Sequence, residues 1–216
     1  MTSKSKSKGN KLEREMRDFF NNMYESTEFA RTPGSGAIMG LSNSAVNAGL
    51  EQATKQTLSS DLICPNWFKF SVECKNYAKD AVNYSTIIKG NDKTLDGWLG
   101  EACYDAINLK LAPMLIFRTV RQGTHVVLPY IFKNSLDVEY YLTYKDFIVV
   151  DAEIIKHNAT TLRDFADNDA ESIQVWLRSS THVTELLSTL AEDRRKAGKI
   201  AAHEAIVEMI NDRKHD

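Results

Sequence analysis

Apolar and polar residues alternate between Phe68 and Lys75, a pattern typical of a β-strand with one buried face. The apolar positions of this segment are Phe68, Phe70, Val72 and Cys74. Since strand side chains project to the two faces in turn, Glu73 and Lys75 lie together on the other face. A short apolar run that follows Asp61 and stops at a Pro-Asn turn predicts a second strand. A tight turn between the two strands would bring Asp61 beside Glu73.

Apolar residues spaced three or four apart predict helices on both sides of this hairpin. The first helix is predicted over residues 10–25, with Asn10 as its N-cap. Another is predicted over residues 92–109, with Pro113 as the residue that ends it. Trp98 lies on the apolar face of this second helix and is predicted to be a core anchor rather than a base-stacking residue.

Further strands and a helical C-terminal part complete the pattern. Strands are predicted at 28–32, 114–120, 125–132 and within 136–151. An acidic, loop-like stretch at 164–170 precedes helices, one of which is expected to run unbroken over 183–210. Strand, helix and strand after the hairpin predict an α/β fold, in which a mixed β-sheet is flanked by helices.

Composition and length indicate one sizeable domain with an appendage. We expect the sheet-bearing domain in residues 1–150 and a helical extension in residues 151–216. Within the domain, residues 1–9 are expected to form a flexible basic arm. Residues 41–59 form a long insertion, and connections of this length are usually functional or mobile.

Charge and cysteine content narrow the class of protein. The 216 residues carry a formal net charge of −2, and 43% of them are hydrophobic, which argues against global disorder. Near-neutral charge argues against a basic nucleic-acid-binding surface over the whole protein, but not against a local basic cleft. Three cysteines without a CxxC pair make a zinc site improbable and fit a reducing cytoplasm. With no membrane-length apolar run and no secretory signal, we expect a cytoplasmic protein without membrane contact.

Candidate chemistry is concentrated around the predicted hairpin. Asp61 and Glu73, once adjacent, would form a hard oxygen site of the kind that Mg²⁺ prefers. Lys75, on the same face as Glu73, would hold a metal-bound water or a leaving phosphate oxygen. An accidental Asp followed by Glu-x-Lys is the alternative, because such short motifs are common.

Three residues outside the hairpin are candidates to join this site. Glu13 lies at the edge of the apolar stripe of the first helix, and the alternative is a surface glutamate paired with Arg17. Arg31 precedes a Pro-Gly-Ser-Gly turn whose backbone amides suit a phosphate, although ordinary loops share this composition. Lys79 is a candidate phosphate contact, with a solvated lysine as the default alternative.

Taken in order, these features resemble a known family. Glu13 after a Lys-Gly segment, Arg31 before the turn, Asp61 and Glu73-x-Lys75 are similar to the archaeal-type Holliday junction resolvases and their phage relatives. These enzymes are a branch of the PD-(D/E)xK nuclease superfamily, so the resemblance implies a restriction-endonuclease-like fold. The sequence departs from the family pattern at two places. Ser60 stands where the superfamily motif has its proline, and residues 41–59 form an insertion between the turn and Asp61.

The resemblance also implies a set of site residues. The catalytic residues would be Glu13, Asp61, Glu73 and Lys75. The metal ligands would be Asp61, Glu73 and the backbone carbonyl of Cys74, with Glu13 acting directly or through water. The residues that position the phosphate would be Arg14, Arg31 and Ser35.

From this resemblance we expect a Mg²⁺-dependent DNA endonuclease, for which Mn²⁺ can substitute. Its substrate would be a Holliday junction or other branched DNA, and it would act as a homodimer because a four-way junction needs two symmetric cuts. The first alternative is another nuclease of the superfamily, of restriction or exonuclease type. The second is a non-catalytic DNA-binding or scaffold protein.

Overall fold

The computed structural model of the protein describes residues 4–32, 60–77, 82–119, 123–168 and 170–213. It confirms the predicted fold class, because a five-stranded mixed sheet is flanked by helices and followed by C-terminal helices. Within these ranges, no helix is long and apolar enough to cross a membrane.

The five-stranded sheet contains one parallel pair and three antiparallel pairs. The strands of the chain are β1 (Ala30–Arg31), β2 (Leu62–Ile63), β3 (Phe70–Asn76), β4 (Ala112–Thr119), β5 (Gly123–Pro129), β6 (Leu142–Tyr144) and β7 (Phe147–Asp151). In the sheet their order is β3-β4-β5-β7-β6, with β3 parallel to β4 and all other neighbours antiparallel. β1 and β2 form a separate two-stranded sheet. β3 therefore lies at an edge of the main sheet.

The helices cover the sheet and then form the C-terminal part. They are α1 (Lys4–Met23), α2 (Tyr84–Ile88), α3 (Lys93–Leu109), α4 (Ala152–His157), α5 (Ala159–Asn168), α6 (Ala170–Ser179), α7 (Thr181–Lys196) and α8 (Ile200–Asp212). Asp92 caps α3, since its side chain accepts hydrogen bonds from the backbone N–H groups of Thr94 and Leu95. The buried face of α3 contains Trp98, which confirms its prediction as a core residue.

The alternation predicted for β3 is confirmed, but its pairing partner was predicted wrongly. Phe68, Phe70, Val72 and Cys74 are all buried, and β3 pairs with β4 in a parallel register. β2 pairs with β1 instead, with Ala30 opposite Ile63. The turn after β2 is closed by a bond from Phe68 N–H to the carbonyl of Pro65. One backbone bond, from Asp61 N–H to the carbonyl of Val72 at 3.0 Å, keeps Asp61 beside β3.

The start of α1 differs from the prediction, and α3 ends at the predicted residue but for another reason. α1 begins at Lys4 instead of Asn10, so most of the expected flexible arm is helical, because lysine is a good helix former and extends the helix anchored by Leu12. α3 ends at Leu109, ahead of Pro113, because Lys110 adopts the left-handed conformation at φ 56 and terminates it. The proline instead lies in β4.

The C-terminal half also differs in three places. The strand predicted to reach residue 132 ends at Pro129, after which a 3₁₀ helix follows, since proline cannot donate to the next strand. The stretch at 164–170 belongs largely to α5, which is anchored by the fully buried Leu162. The helix predicted over 183–210 is two helices, α7 and α8, because Gly198 has φ 73 and breaks it.

Close packing of α3 on α7 depends on a glycine. A Cβ atom on Gly100 would lie 3.0 Å from the carbonyl oxygen of Leu186 and 3.3 Å from Cβ of Leu190. We expect Gly100→Ala to lower the free energy of unfolding by about 1–3 kcal/mol through overpacking, measured by denaturant titration. Gly97 lies in the same helix with open space around its Cβ position. Gly97→Ala should therefore raise stability by about 0.5–1 kcal/mol, and equal effects of the two changes would contradict the prediction.

Candidate active site

Lys75 lies at the centre of a group of charged side chains on the β3 edge of the sheet. Its Nζ atom is 2.6 Å from Oε1 of Glu73 and 2.7 Å from Oε2 of Glu101, which α3 contributes. The second oxygen of Glu101, Oε1, is 2.6 Å from Nη2 of Arg194 at the end of α7. All of these side chains are partly buried, so their charges are screened less than on an open surface.

Asp61 is fixed beside Glu73 by its backbone and its side chain. Its N–H donates to Val72, and its carbonyl accepts from the N–H of Thr32 at 3.1 Å. Its Oδ2 atom accepts a hydrogen bond from the N–H of Cys74 at 2.7 Å, one residue along β3 from Glu73. The predicted juxtaposition of Asp61 and Glu73 is therefore present, although the two strands do not form a hairpin.

The negative charge of this group exceeds its positive charge. Burial raises the pKa of Glu73 well above its usual value, and the nearby Asp61 carboxylate raises it further, whereas Lys75 lowers it. Asp105 and Glu101 add smaller contributions that also raise the pKa of Glu73. An uncompensated cluster of carboxylates of this kind favours the binding of a cation.

Asp105 is a second carboxylate that α3 directs toward the site. Burial, followed by the charges of Glu101 and Asp61, raises its pKa to about 8, against the lowering effect of Lys75 and Arg194. At neutral pH this carboxyl group is therefore mostly protonated in the absence of a metal ion.

The raised pKa of Asp105 predicts a pH-dependent loss of stability. Because the pKa in the folded protein exceeds the usual value of 3.8, its contribution is complete below about pH 4 and is lost as the pH rises through about 8. In chelator, Asp105→Asn should therefore raise the Tm at pH 8 by several degrees relative to wild type, with little difference at pH 4. An equal Tm difference at both pH values, measured by calorimetry, would contradict this assignment.

Glu13 and Arg31 form an ion pair near β3. Nη1 of Arg31 lies 3.1 Å from Oε2 of Glu13, a side chain that is almost fully buried. Glu13 is therefore not the surface glutamate of the alternative interpretation, and Arg17 bonds to Asp18. Glu13 is close enough to β3 for its charge to contribute to the raised pKa of Cys74, behind burial and the charges of Asp61 and Glu73.

The remaining candidates are less well defined by the structure. Arg14 is exposed on α1, next to Glu13. Ser35 and Lys79, like the insertion at 41–59, lie outside the described residues. The structure thus brings Asp61, Glu73 and Lys75 together at β3, and the Glu13–Arg31 ion pair lies close enough for the charge of Glu13 to act on Cys74.

Sequence reasoning missed Glu101, Asp105 and Arg194. A signal was present for the first two, since they lie four residues apart on one side of α3, directly before the buried Ala102 and Ala106. Arg194 belongs to the basic run Arg194-Arg195-Lys196, for which a solvated helix face is the default interpretation. The side chain of Arg194 instead contacts Glu101, whereas Arg195 pairs with Glu192 on the surface.

The donor atoms at the site fit a hard divalent cation. Among the described residues, no group of three or more His, Cys, Asp and Glu side chains is arranged to hold a metal ion. Asp61 and Glu73 nevertheless supply two carboxylates close enough for the charge of one to raise the pKa of the other, and Cys74 between them supplies a backbone carbonyl. Oxygen ligands of these types are those that Mg²⁺ and Mn²⁺ prefer.

Comparison with known proteins gives one match. A family model described as “Phage putative PDDEXK endonuclease” matches residues 4–174. No curated protein and no solved structure is significantly similar to the chain. The matched segment includes the whole five-stranded sheet and the acidic group on β3 and α3, and it ends before α7.

Proposed function

The chain belongs to the phage PDDEXK endonuclease family, within the PD-(D/E)xK superfamily, and we propose that it is a Mg²⁺-dependent enzyme that hydrolyses phosphodiester bonds of DNA. Nuclease activity on DNA, with a divalent metal ion, is what the family implies. The observation that carries the proposal is the meeting of Asp61, Glu73 and Lys75 at the edge of the sheet.

In this proposal a metal ion would be held by carboxylates at the start of β2 and on β3. Asp61 precedes β2, Glu73 lies on β3, and both would be ligands together with the backbone carbonyl of Cys74. Glu13 would contribute directly or through water. When bound, the ion lowers the pKa of a water molecule and stabilises negative charge on the phosphoryl oxygen.

Lys75 would act as a hydrogen-bond donor in this site. Burial alone lowers the pKa of Lys75, but the carboxylates of Glu73 and Glu101 outweigh burial and raise it well above the usual value. A firmly protonated ammonium group can orient the attacking water and contact the phosphate, but it cannot accept the proton of that water. The lysine is therefore proposed to position reactants and to stabilise developing charge.

Arginine side chains around Glu13 are proposed to position the DNA backbone. Arg31 is held by Glu13 near the site, which leaves the rest of its planar donor group to contact a phosphate. Arg14 directly follows Glu13 on α1, is exposed and would add a second contact. Ser35 and Lys79 are proposed as further phosphate contacts on the resemblance and on charge alone.

Branched DNA is proposed as the substrate and a homodimer as the active form. The order of Glu13, Arg31, Asp61 and Glu73-x-Lys75 along the chain supports this, because it resembles the archaeal-type Holliday junction resolvases. The test incubates purified protein with a labelled four-way junction, a linear duplex of the same sequence and a single strand, each with Mg²⁺, with Mn²⁺ and with chelator.

We expect metal-dependent, symmetric cuts in the junction that leave 5′-phosphate ends. Equal cleavage of the linear duplex would instead support an endonuclease of restriction type, and trimming from ends would support an exonuclease. Binding without cleavage in either metal would reject the catalytic proposal in favour of a DNA-binding role. Mass photometry of the protein with the junction tests whether two copies bind one substrate.

A further inference from the structure

Arg194 connects the C-terminal helices to the candidate active site. Its guanidinium group lies 2.6 Å from one oxygen of Glu101, and the other oxygen of Glu101 lies 2.7 Å from Nζ of Lys75. We propose that Arg194 is a positioning residue of the nuclease, which holds Glu101 and thereby fixes Lys75. The inference rests on the proposed catalytic function of Lys75.

The helix that carries Arg194 is firmly packed against α3. Gly100, next to Glu101, allows the backbone of α7 to approach at Leu186, and Leu190 packs one turn further along. Arg194 follows Leu190 by one more turn, so it is delivered to Glu101 by a buried helix interface. The position of its Cα atom is therefore set by the core and does not depend on the ion pair itself.

The surroundings of Arg194 differ from those of its neighbour. The Arg194 side chain is 22% exposed, and its Nε atom is buried without a hydrogen-bond partner among the described residues. The Arg195 side chain is 54% exposed and forms two bonds to Glu192 on its own helix. Arg194 therefore points inward to Glu101, and Arg195 provides a matched surface control.

Charge balance explains why Lys75 would need this arginine. Glu101 and Glu73 share one ammonium group, and each draws it toward its own oxygen. Arg194 binds Oε1 of Glu101 and thereby holds the carboxylate in one orientation. In this orientation only the other oxygen, Oε2, is directed at Lys75. Without the arginine, Glu101 can rotate and draw Lys75 away from Glu73.

Arg194 lies outside the segment that the family model matches. The family match ends at residue 174, whereas Arg194 lies on α7. The C-terminal extension would thus complete the active site of this chain in addition to covering α3.

The test compares Arg194→Met, Arg194→Lys and the control Arg195→Met on the DNA that wild type cleaves with Mg²⁺. We expect Arg194→Met to lower kcat about 10- to 100-fold with KM unchanged, as misplacement of a reacting group does. Arg194→Lys should recover part of kcat, because an ammonium group still reaches one oxygen of Glu101. Arg195→Met should match wild type, and DNA affinity in Ca²⁺ should be the same for all four proteins.

A double-mutant cycle identifies the route of the effect. In the Glu101→Gln background, adding Arg194→Met should lower kcat by less than about twofold, because the link is already broken. This double variant buries no uncompensated charge, so it carries the test if Arg194→Met alone fails to fold. Thermal unfolding in chelator should also show coupling between the two positions.

Several results would overturn the inference. These are a wild-type kcat in Arg194→Met, a loss confined to KM or DNA affinity, or losses that multiply in the double variant. If the wild type cleaves DNA, any of these results in the variants would reject the role of Arg194 but leave the nuclease proposal intact. A wild type that cleaves no DNA in Mg²⁺ or Mn²⁺ would reject the nuclease proposal and this inference together.

Discussion

Replacement of Asp61 by asparagine is expected to abolish metal-dependent cleavage of DNA. The change removes one of the two carboxylates proposed to hold the ion, and the ion accounts for several kcal/mol of transition-state stabilisation. At about 1.4 kcal/mol per tenfold change in rate, kcat should fall by about three orders of magnitude or more. The measurement is single-turnover cleavage of the labelled substrate in saturating Mg²⁺.

The fold should survive this change because most contacts of Asp61 do not need its charge. Its backbone bonds to Val72 and Thr32 remain, and the asparagine oxygen can still accept from the N–H of Cys74. DNA affinity in chelator should therefore stay within about threefold of wild type. Mn²⁺ affinity, measured calorimetrically, should fall at least about 10-fold, because loss of a ligand costs no less than loss of a residue that supports one.

The matched control for this variant is Asp18→Asn. Asp18 is an exposed aspartate on α1, paired with Arg17, so its loss changes net charge equally without touching the site. Full Mg²⁺-dependent activity in Asp61→Asn would reject the assignment of this residue. Equal loss in both variants would assign the effect to overall charge instead.

The parts of the fold that were predictable are those with a strong local period. β3 has three buried apolar residues, Phe70, Val72 and Cys74, at alternate positions, and α3 has an apolar face together with the capping Asp92, so one short window of sequence identifies each. The break between α7 and α8 was harder to place. Gly198 adopts a positive φ there, and an apolar pattern that continues on both sides conceals the break.

Pairing between distant segments could be predicted only in part. Asp61 was expected beside Glu73, and this holds, yet through a side-chain bond to Cys74 N–H and not through a hairpin. The pairs Lys75–Glu101 and Glu101–Arg194 join residues 26 and 93 positions apart. Charged residues at the edge of a helix have many local partners, and only the docking of α3 and α7 selects among them.

Replacement of Lys75 by methionine is expected to have the next-largest effect on activity. The change keeps a long side chain but removes the ammonium group that contacts Glu73 and Glu101, so kcat should fall about 100- to 1000-fold, the cost of losing one preorganised donor. The control is Lys69→Met, at a lysine just before β3 whose Nζ atom bonds to the carbonyl of Asn66. Lys69→Met should cleave DNA at the wild-type rate.

The Tm of Lys75→Met, compared in chelator and in Mg²⁺, provides a second test of this variant. Without Lys75, Glu73 and Glu101 lose their shared cation, so the Tm in chelator should fall by several degrees. A divalent ion that binds only the folded protein stabilises it, and with Lys75 absent it would be the main charge opposing Glu73. Saturating Mg²⁺ should therefore raise the Tm of Lys75→Met more than that of wild type. An equal increase in both proteins would show that lysine and metal do not share the same carboxylates, and cleavage at the wild-type rate would exclude Lys75 from the chemistry.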